Sequence, residues 1–152
     1  MSMRTHWCGE IRPEHVGQTV ALCGWVGRRR EHGEHLAFVD LRDRTGIVQC
    51  VVDHAHDLRS EFVVRITGTV RARPEGTVND SLPTGEVELG DCAVEILSTA
   101  EPPTFPIDAR ADDVDESVRL RFRYLDLRRE RMQRNLSVRA TVNAALRRAM
   151  ER

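Results

Sequence analysis

An all-β barrel of five short strands, followed by a linker and a helical segment, is the fold that this 152-residue sequence predicts. Three observations predict it. Between 19 and 73 the chain shows four runs of alternating apolar and polar residues, and a fifth follows at 86–98. Turn-forming residues separate the runs: Gly33, Asp43-Arg44-Thr45-Gly46, and a 74–85 stretch rich in Pro, Gly, Asn and Asp. From about 115 onward the apolar residues change to helical spacing.

Each element follows from its own residues. Arg12-Pro13-Glu14-His15 before Gly17 reads as one helical turn, with Pro near its start and Gly past its end. In the first strand, 19–26, Val20, Leu22 and Val26 share one face and Ala21, Cys23 and Trp25 the other, and Gly24 predicts a bulge or sharp bend. The polar stretch 28–35 reads as a connection. In the second strand, 36–42, Ala37, Val39 and Leu41 oppose Phe38, Asp40 and Arg42. A turn at 43–46 leads into the third strand, 47–52, and 53–60 reads as a turn or short helix. The fourth strand, 62–73, sets Phe62, Val64, Ile66 and Val70 against Arg65, Thr67, Thr69, Arg71 and Arg73, with a bend at Gly68. The fifth, 86–98, is expected to break near Gly90-Asp91. Three strands, a short link and two more strands is the order of the five-stranded oligonucleotide-binding (OB) barrel, here spanning 1–103. A generic antiparallel barrel is the alternative. Three prolines and many acids in 99–116 mark a linker, assigned to 104–116. In 117–152, Val118, Phe122 and Leu125 keep helical spacing, as do Val138, Val142, Leu146 and Ala149 or Met150. That last helix reaches Arg152 without a stop signal, which suggests that a further domain follows in the parent protein.

Charge is partitioned. Residues 1–73 hold 11 Arg and 9 acids, 74–116 hold 1 Arg and 12 acids, and 117–152 hold 11 Arg and 3 acids. All 23 basic residues are arginine, which fits a codon bias as readily as phosphate recognition. The four cysteines lack a CxxC pair and read as small hydrophobes in a reducing compartment. No apolar run approaches the ~18 residues of a membrane span and no signal-peptide core opens the chain, so a cytoplasmic protein without a membrane partner is expected.

Catalysis finds little support. GxSxG, HExxH and P-loop motifs are missing from the sequence. His54 and His56, flanked by Asp53 and Asp57, form an HxH pair that on a surface turn is usually solvated, so no metal site is assigned. Binding is better supported. Phe38 lies on the polar side of its strand, where an exposed ring stacks on unpaired bases. The opposite reading, with Phe38 in the core, would push Ala37, Val39 and Leu41 outward. Gln49 offers a donor and an acceptor to a base edge. Glu88 can accept from the amino group of cytosine, which uracil lacks. Arg28, Arg29, Arg30, Arg71 and Arg73 can meet phosphates or stack on bases.

The segments GWVGRRR (24–30), FVDLRDRTGIVQ (38–49), GTVRARPEGTVND (68–80), TGEVE (84–88) and FRYLDLRR (122–129) resemble bacterial-type aspartyl-tRNA synthetases across essentially the whole chain. Related lysyl and asparaginyl enzymes share the barrel and parts of these motifs. The resemblance implies a tRNA anticodon-binding domain. It implies that Phe38 stacks on the middle anticodon base, that Gln49 pairs with it, and that Glu88 helps read the third. It places Arg30, Arg71 and Arg73 at the anticodon loop and Asn79 in the loop that covers it. The full enzyme would be a homodimeric ligase that activates aspartate with ATP and Mg2+ through aspartyl-adenylate and charges aspartate tRNA, with asparagine tRNA also in range. Residues 117–152 would lead into its class II catalytic domain, so this chain by itself is expected to be inactive and to need no cofactor. The 30–38 hairpin is one residue longer than in some members, and Thr77 stands where Asn is often found. The rival reading is a general single-strand-binding OB module outside translation.

Overall fold

The computed structural model describes residues 3–33, 35–53 and 57–151. The chain divides into two compact units, Met1–Pro102 and Pro103–Arg152.

The first unit is a closed barrel of β1 (Thr19–His32), β2 (Leu36–Arg42), β3 (Ile47–Asp53), β4 (Val63–Ala72) and β5 (Val87–Ser98), in the order β1-β2-β3-β5-β4. The pairings are antiparallel except β3 with β5, which meet in parallel at Cys50 and Leu89. That parallel closure distinguishes an OB barrel from a simple antiparallel one. Alternation fixes the core: Val20, Leu22, Val26, Val39, Leu41, Val48, Val64, Ile66, Val70, Val87 and Leu89 are fully buried. Each such side chain contributes about 1.5–3 kcal/mol by leaving water.

Two strand expectations need correction. β1 does not stop at Val26: it runs through the three arginines to His32, because Arg30 and His32 pair across to Phe38 and Leu36. The bulge expected at Gly24 falls instead at Gly27, where the register steps from Val26–Leu41 to Arg28–Asp40. Gly24 serves a close approach: a Cβ there would lie 2.4 Å from the Arg42 carbonyl oxygen. The break expected in β5 is a bulge within a continuous strand. Thr67 faces Ala93 and Thr69 faces Gly90, so β5 carries one extra residue, and Asp91 takes a left-handed φ of 50°.

A 3-10 turn at Pro13–His15 ends at Gly17, as the sequence suggests, and a second at Cys8–Glu10 is clamped to the β2–β3 turn. Asp43 does the clamping. One carboxylate oxygen accepts from the Cys8 N–H at 2.7 Å; the other accepts from the N–H and Oγ1 of Thr45 and the N–H of Gly46. Of the 53–60 link, His54, Ala55 and His56 lie outside the described residues; Leu58, beyond them, is buried in the barrel core.

In the second unit, the 104–116 stretch joins the barrel to the helices and also supplies buried residues. Phe105, Ile107 and Ala111 pack with Leu125, and a 3-10 turn spans Ala109–Asp113. Asp115 caps α1 (Glu116–Arg121) through the Ser117 N–H; α2 (Arg123–Asp126) and α3 (Glu130–Met150) follow. The helical spacing through 118–125 is interrupted at Phe122, whose ψ of 47° separates α1 from α2. Val138, Val142, Leu146 and Met150 on α3 are exposed. No helix among the described residues is long and apolar enough to cross a membrane.

Candidate nucleic-acid interface

Strand alternation delivers one polar face. After the Gly27 bulge, Arg28 and Arg30 register with Asp40 and Phe38, so both lie on the outer face of β2. Arg29 registers with Val39, and its guanidinium turns to the Leu58 carbonyl and Glu31 instead. Asp40 pairs with Gln49 across β2–β3, and Arg71 with Glu88 across β4–β5. Phe38 is half-buried, its ring edge-on to His32 with centroids 5.5 Å apart.

These side chains form one hydrogen-bonded chain across the sheet. Arg30 Nη2 donates to Asp40 Oδ1 at 2.8 Å and to Gln49 Oε1 at 3.1 Å. Gln49 Nε2 donates to Glu88 Oε2 at 2.8 Å, and Arg71 Nε donates to Glu88 Oε1 at 2.9 Å. The middle of the chain is the floor: Gln49 is 8% exposed and Glu88 2%. The rim is arginine, with Arg30 and Arg71 about half exposed. Burial drives the Asp40 carboxyl above its ordinary pKa, against the opposing pull of Arg30, Arg73 and Arg28. A sheet face with a ring, a fixed amide and cationic headgroups at its rim suits stacked bases with their phosphates alongside.

Residues 20–90 match the family described as tRNA anti-codon, OB-fold nucleic acid binding domain. Over those residues the barrel is similar to tRNA anti-codon OB domains. The chain is 49% identical, over 98% of its length, to the aspartate–tRNA(Asp/Asn) ligase of Heliobacterium modesticaldum, of which it covers 26%. It is 50% identical, over 95% of its length, to that of Pseudarthrobacter chlorophenolicus, of which it covers 24%. It therefore spans about a quarter of the length of these curated relatives. Among solved structures it resembles the asparaginyl-tRNA synthetase of Pyrococcus horikoshii complexed with asparaginyl-adenylate, with a TM-score of 0.76 and 28% identity, over 95% of this chain and 33% of that one.

Within the OB domain, five of the seven residues singled out from sequence meet on one face: Arg30, Phe38, Gln49, Arg71 and Glu88. Arg73, one residue beyond β4, lies at the edge of that face; its Nε donates to the Val87 carbonyl and its Nη1 reaches the Thr77 carbonyl at 3.5 Å. Asn79 stands apart, in the 74–85 loop. Its Oδ1 accepts from the Ser81 N–H and Oγ, and its backbone pairs with Gly85 and Leu82. A Cβ on Gly85 would sit 1.8 Å from the Asn79 carbonyl oxygen, so this loop requires glycine there. Thr84, buried, ties the loop's end to the Ile47 carbonyl. Asp40 and His32 join this face as well: alternation with Phe38 puts Asp40 there, and His32 reaches it because β1 continues through the stretch expected to be a connection.

Two of the four cysteine thiols lie in the barrel core. Cys8 and Cys50 are buried; burial and Asp43 raise the Cys8 pKa, while the neighbouring Cys92 thiol and burial raise that of Cys50. Among the described residues, no group of three or more His, Cys, Asp or Glu side chains is placed to hold a metal ion. His54 and His56 lie outside those residues.

Proposed function

We propose that this chain is the anticodon-reading part of an aspartate–tRNA ligase. The observation that carries this reading is the Arg30–Gln49–Glu88–Arg71 hydrogen-bonded chain lying beside a half-buried Phe38 on one sheet face. An unpaired base stacks on Phe38. The free N–H and lone pair of the Gln49 amide meet its edge. Glu88 contributes the acceptor that favours cytosine at the neighbouring anticodon position. Arg30, Arg71 and Arg73 meet the backbone phosphates or stack on bases. Asn79 and its loop cover the anticodon from the side.

In the whole protein this recognition serves transfer of aspartate to tRNA, through aspartyl-adenylate, by a cytoplasmic homodimer using ATP and Mg2+. That chemistry belongs to a class II catalytic domain outside this chain. The chain alone binds tRNA and does not charge it.

Titration with stem-loops bearing GUC, GUU and an unrelated anticodon, at two salt concentrations, tests the reading. GUC, or GUC and GUU together, should bind tighter than the unrelated loop, and all affinities should fall with salt. Equal affinity for the three loops would instead identify a general single-strand-binding module. Glu88→Gln should narrow the gap between GUC and GUU; an unchanged gap removes Glu88 as a third-base reader.

A further inference from the structure

Gln49 can present its amide to a base in two ways, related by a flip that exchanges N–H donor for carbonyl acceptor. The surrounding residues allow one. Glu88 offers only acceptor oxygens to Gln49 Nε2, and Arg30 offers only donors to Gln49 Oε1. A flipped amide would set donor against donor at Arg30 and acceptor against acceptor at Glu88. Glu88 is buried and bracketed by Arg71, so that side of the lock is rigid. Arg30 is different: a long, half-exposed side chain that water or a phosphate can draw away. Among the described residues, Asp40 holds it over the amide. The same Nη2 that donates to Gln49 donates to Asp40 at 2.8 Å, and Asp40 sits directly opposite Gln49 in the β2–β3 register.

We propose that Asp40 is a positioning residue for base recognition: by tethering Arg30 it locks the Gln49 amide in the single orientation that it offers to an unpaired RNA base on Phe38. The inference rests on the RNA-reading function above. It also explains why a carboxylate stands on a face meant for phosphates. Asp40 opposes the positive rim, so attraction to RNA does not account for it, whereas its 2.8 Å contact to Arg30 beside Gln49 does.

The test compares wild type, Asp40→Ala and Asp40→Asn against stem-loops that differ only in the middle anticodon base. Asparagine keeps an acceptor oxygen for Arg30; alanine does not. Asp40→Ala should lose about tenfold of the discrimination between the preferred and the other middle bases, while Asp40→Asn keeps most of it. If Asp40 merely repels RNA, both variants bind every loop more tightly with the ratio between bases unchanged, and the proposal is overturned. Side-chain amide NMR of the RNA-free protein supplies an independent arm: the Gln49 Nε2 resonances should shift and broaden in Asp40→Ala and hold in Asp40→Asn. Unchanged resonances in Asp40→Ala overturn the lock. Should alanine melt early, Asp40→Thr, suited to a strand and too short to reach Arg30, replaces it. Wild type without any base preference would sink the anticodon reading, while the NMR arm would still judge the lock.

Discussion

The described residues include an arginine–carboxylate chain in each unit, and the exposure of the arginine that pairs with the buried carboxylate separates them. In the second unit, Arg129 donates to Asp126 and to Asp112, and Arg123 also donates to Asp126. The Arg129 and Asp126 side chains are 4% and 1% exposed. On the barrel, Glu88 is equally hidden at 3%, yet its partner Arg71 is 48% exposed, and Arg30 44%. The first chain is closed at its centre by a buried ion pair, Arg129 with Asp126, while its outer partners Arg123 and Asp112 are 46% and 50% exposed. The second has a buried floor and an open rim. A closed chain fixes a fold; an open one leaves donors for a ligand. Residue types alone do not distinguish the two, because both are built from arginine and acid.

The sharpest way to break this comparison is at the closed chain. Asp126→Ala leaves the buried Arg129 guanidinium with the half-exposed Asp112 as its remaining counter-ion, at a cost of about 3 kcal/mol. Hydrogen exchange across α1–α3 should accelerate, and denaturant unfolding of the second unit should move to lower concentration. RNA affinity of the barrel should hold. A loss below ~1 kcal/mol would mean that the second unit does not depend on this pair.

On the open chain the ordering should reverse, with binding suffering more than stability. Phe38→Ala removes a half-buried ring from a face, not a core residue, and should weaken stem-loop binding by about 1–3 kcal/mol. Fluorescence anisotropy measures the affinity and a thermal melt measures the stability. A variant that melts early but binds normally would put Phe38 in the closed class.

Asp43 is a third arrangement, a carboxylate satisfied chiefly by backbone N–H groups, and belongs with the closed chain. Burial works against its charge, but the hydrogen bonds from Thr45 and Cys8 outweigh it and hold its pKa below the ordinary 3.8. A lowered folded pKa contributes stability above the unfolded value, and that stability is lost as pH falls through the folded one. Wild type should therefore lose stability in acid below about pH 4. Asp43→Asn must turn its NH2 toward either the Cys8 N–H or the Thr45 donors. It should lose about 1–3 kcal/mol at neutral pH and show a flatter acid limb. Urea melts at several pH values read both; a parallel shift of the two curves would contradict the assignment.

How much of this was legible in the sequence depended on distance along the chain. Alternation in 36–42 placed Phe38 on the outer face and Val39 in the core without reference to any partner. The extension of β1 through Arg28–Arg30 was hidden, because nothing in those residues favours a strand; pairing with β2 makes it one. The same holds for Asp40, whose role comes from two registers, one with β1 and one with β3. In 104–116, proline and acid content reads as a spacer, yet Phe105 and Ile107 bury against Leu125 far along the chain. Local pattern reports faces. Contacts set by register or by distant packing leave no local trace; side-chain chemistry pointed Gln49 and Glu88 at base edges, and the resemblance to a known family implied which anticodon bases they meet.

The smallest expected effect is also the most selective. Arg71 lies flat against Gly90: a Cβ there would meet its Cζ and Nη1 at 2.8 Å and its Nε at 2.9 Å. Those atoms are the tip of a flexible side chain, so Gly90→Ala has somewhere to push. The barrel should keep its stability to within about 0.5 kcal/mol. The guanidinium, displaced, loses its 2.9 Å hydrogen bond to Glu88, and the open chain loses one end. Stem-loop affinity should fall by about 1 kcal/mol, with Arg71→Ala giving no further loss when added to Gly90→Ala. Additive losses from the two substitutions would show that Arg71 reaches the RNA from elsewhere and that the flat seat on Gly90 plays no part in recognition.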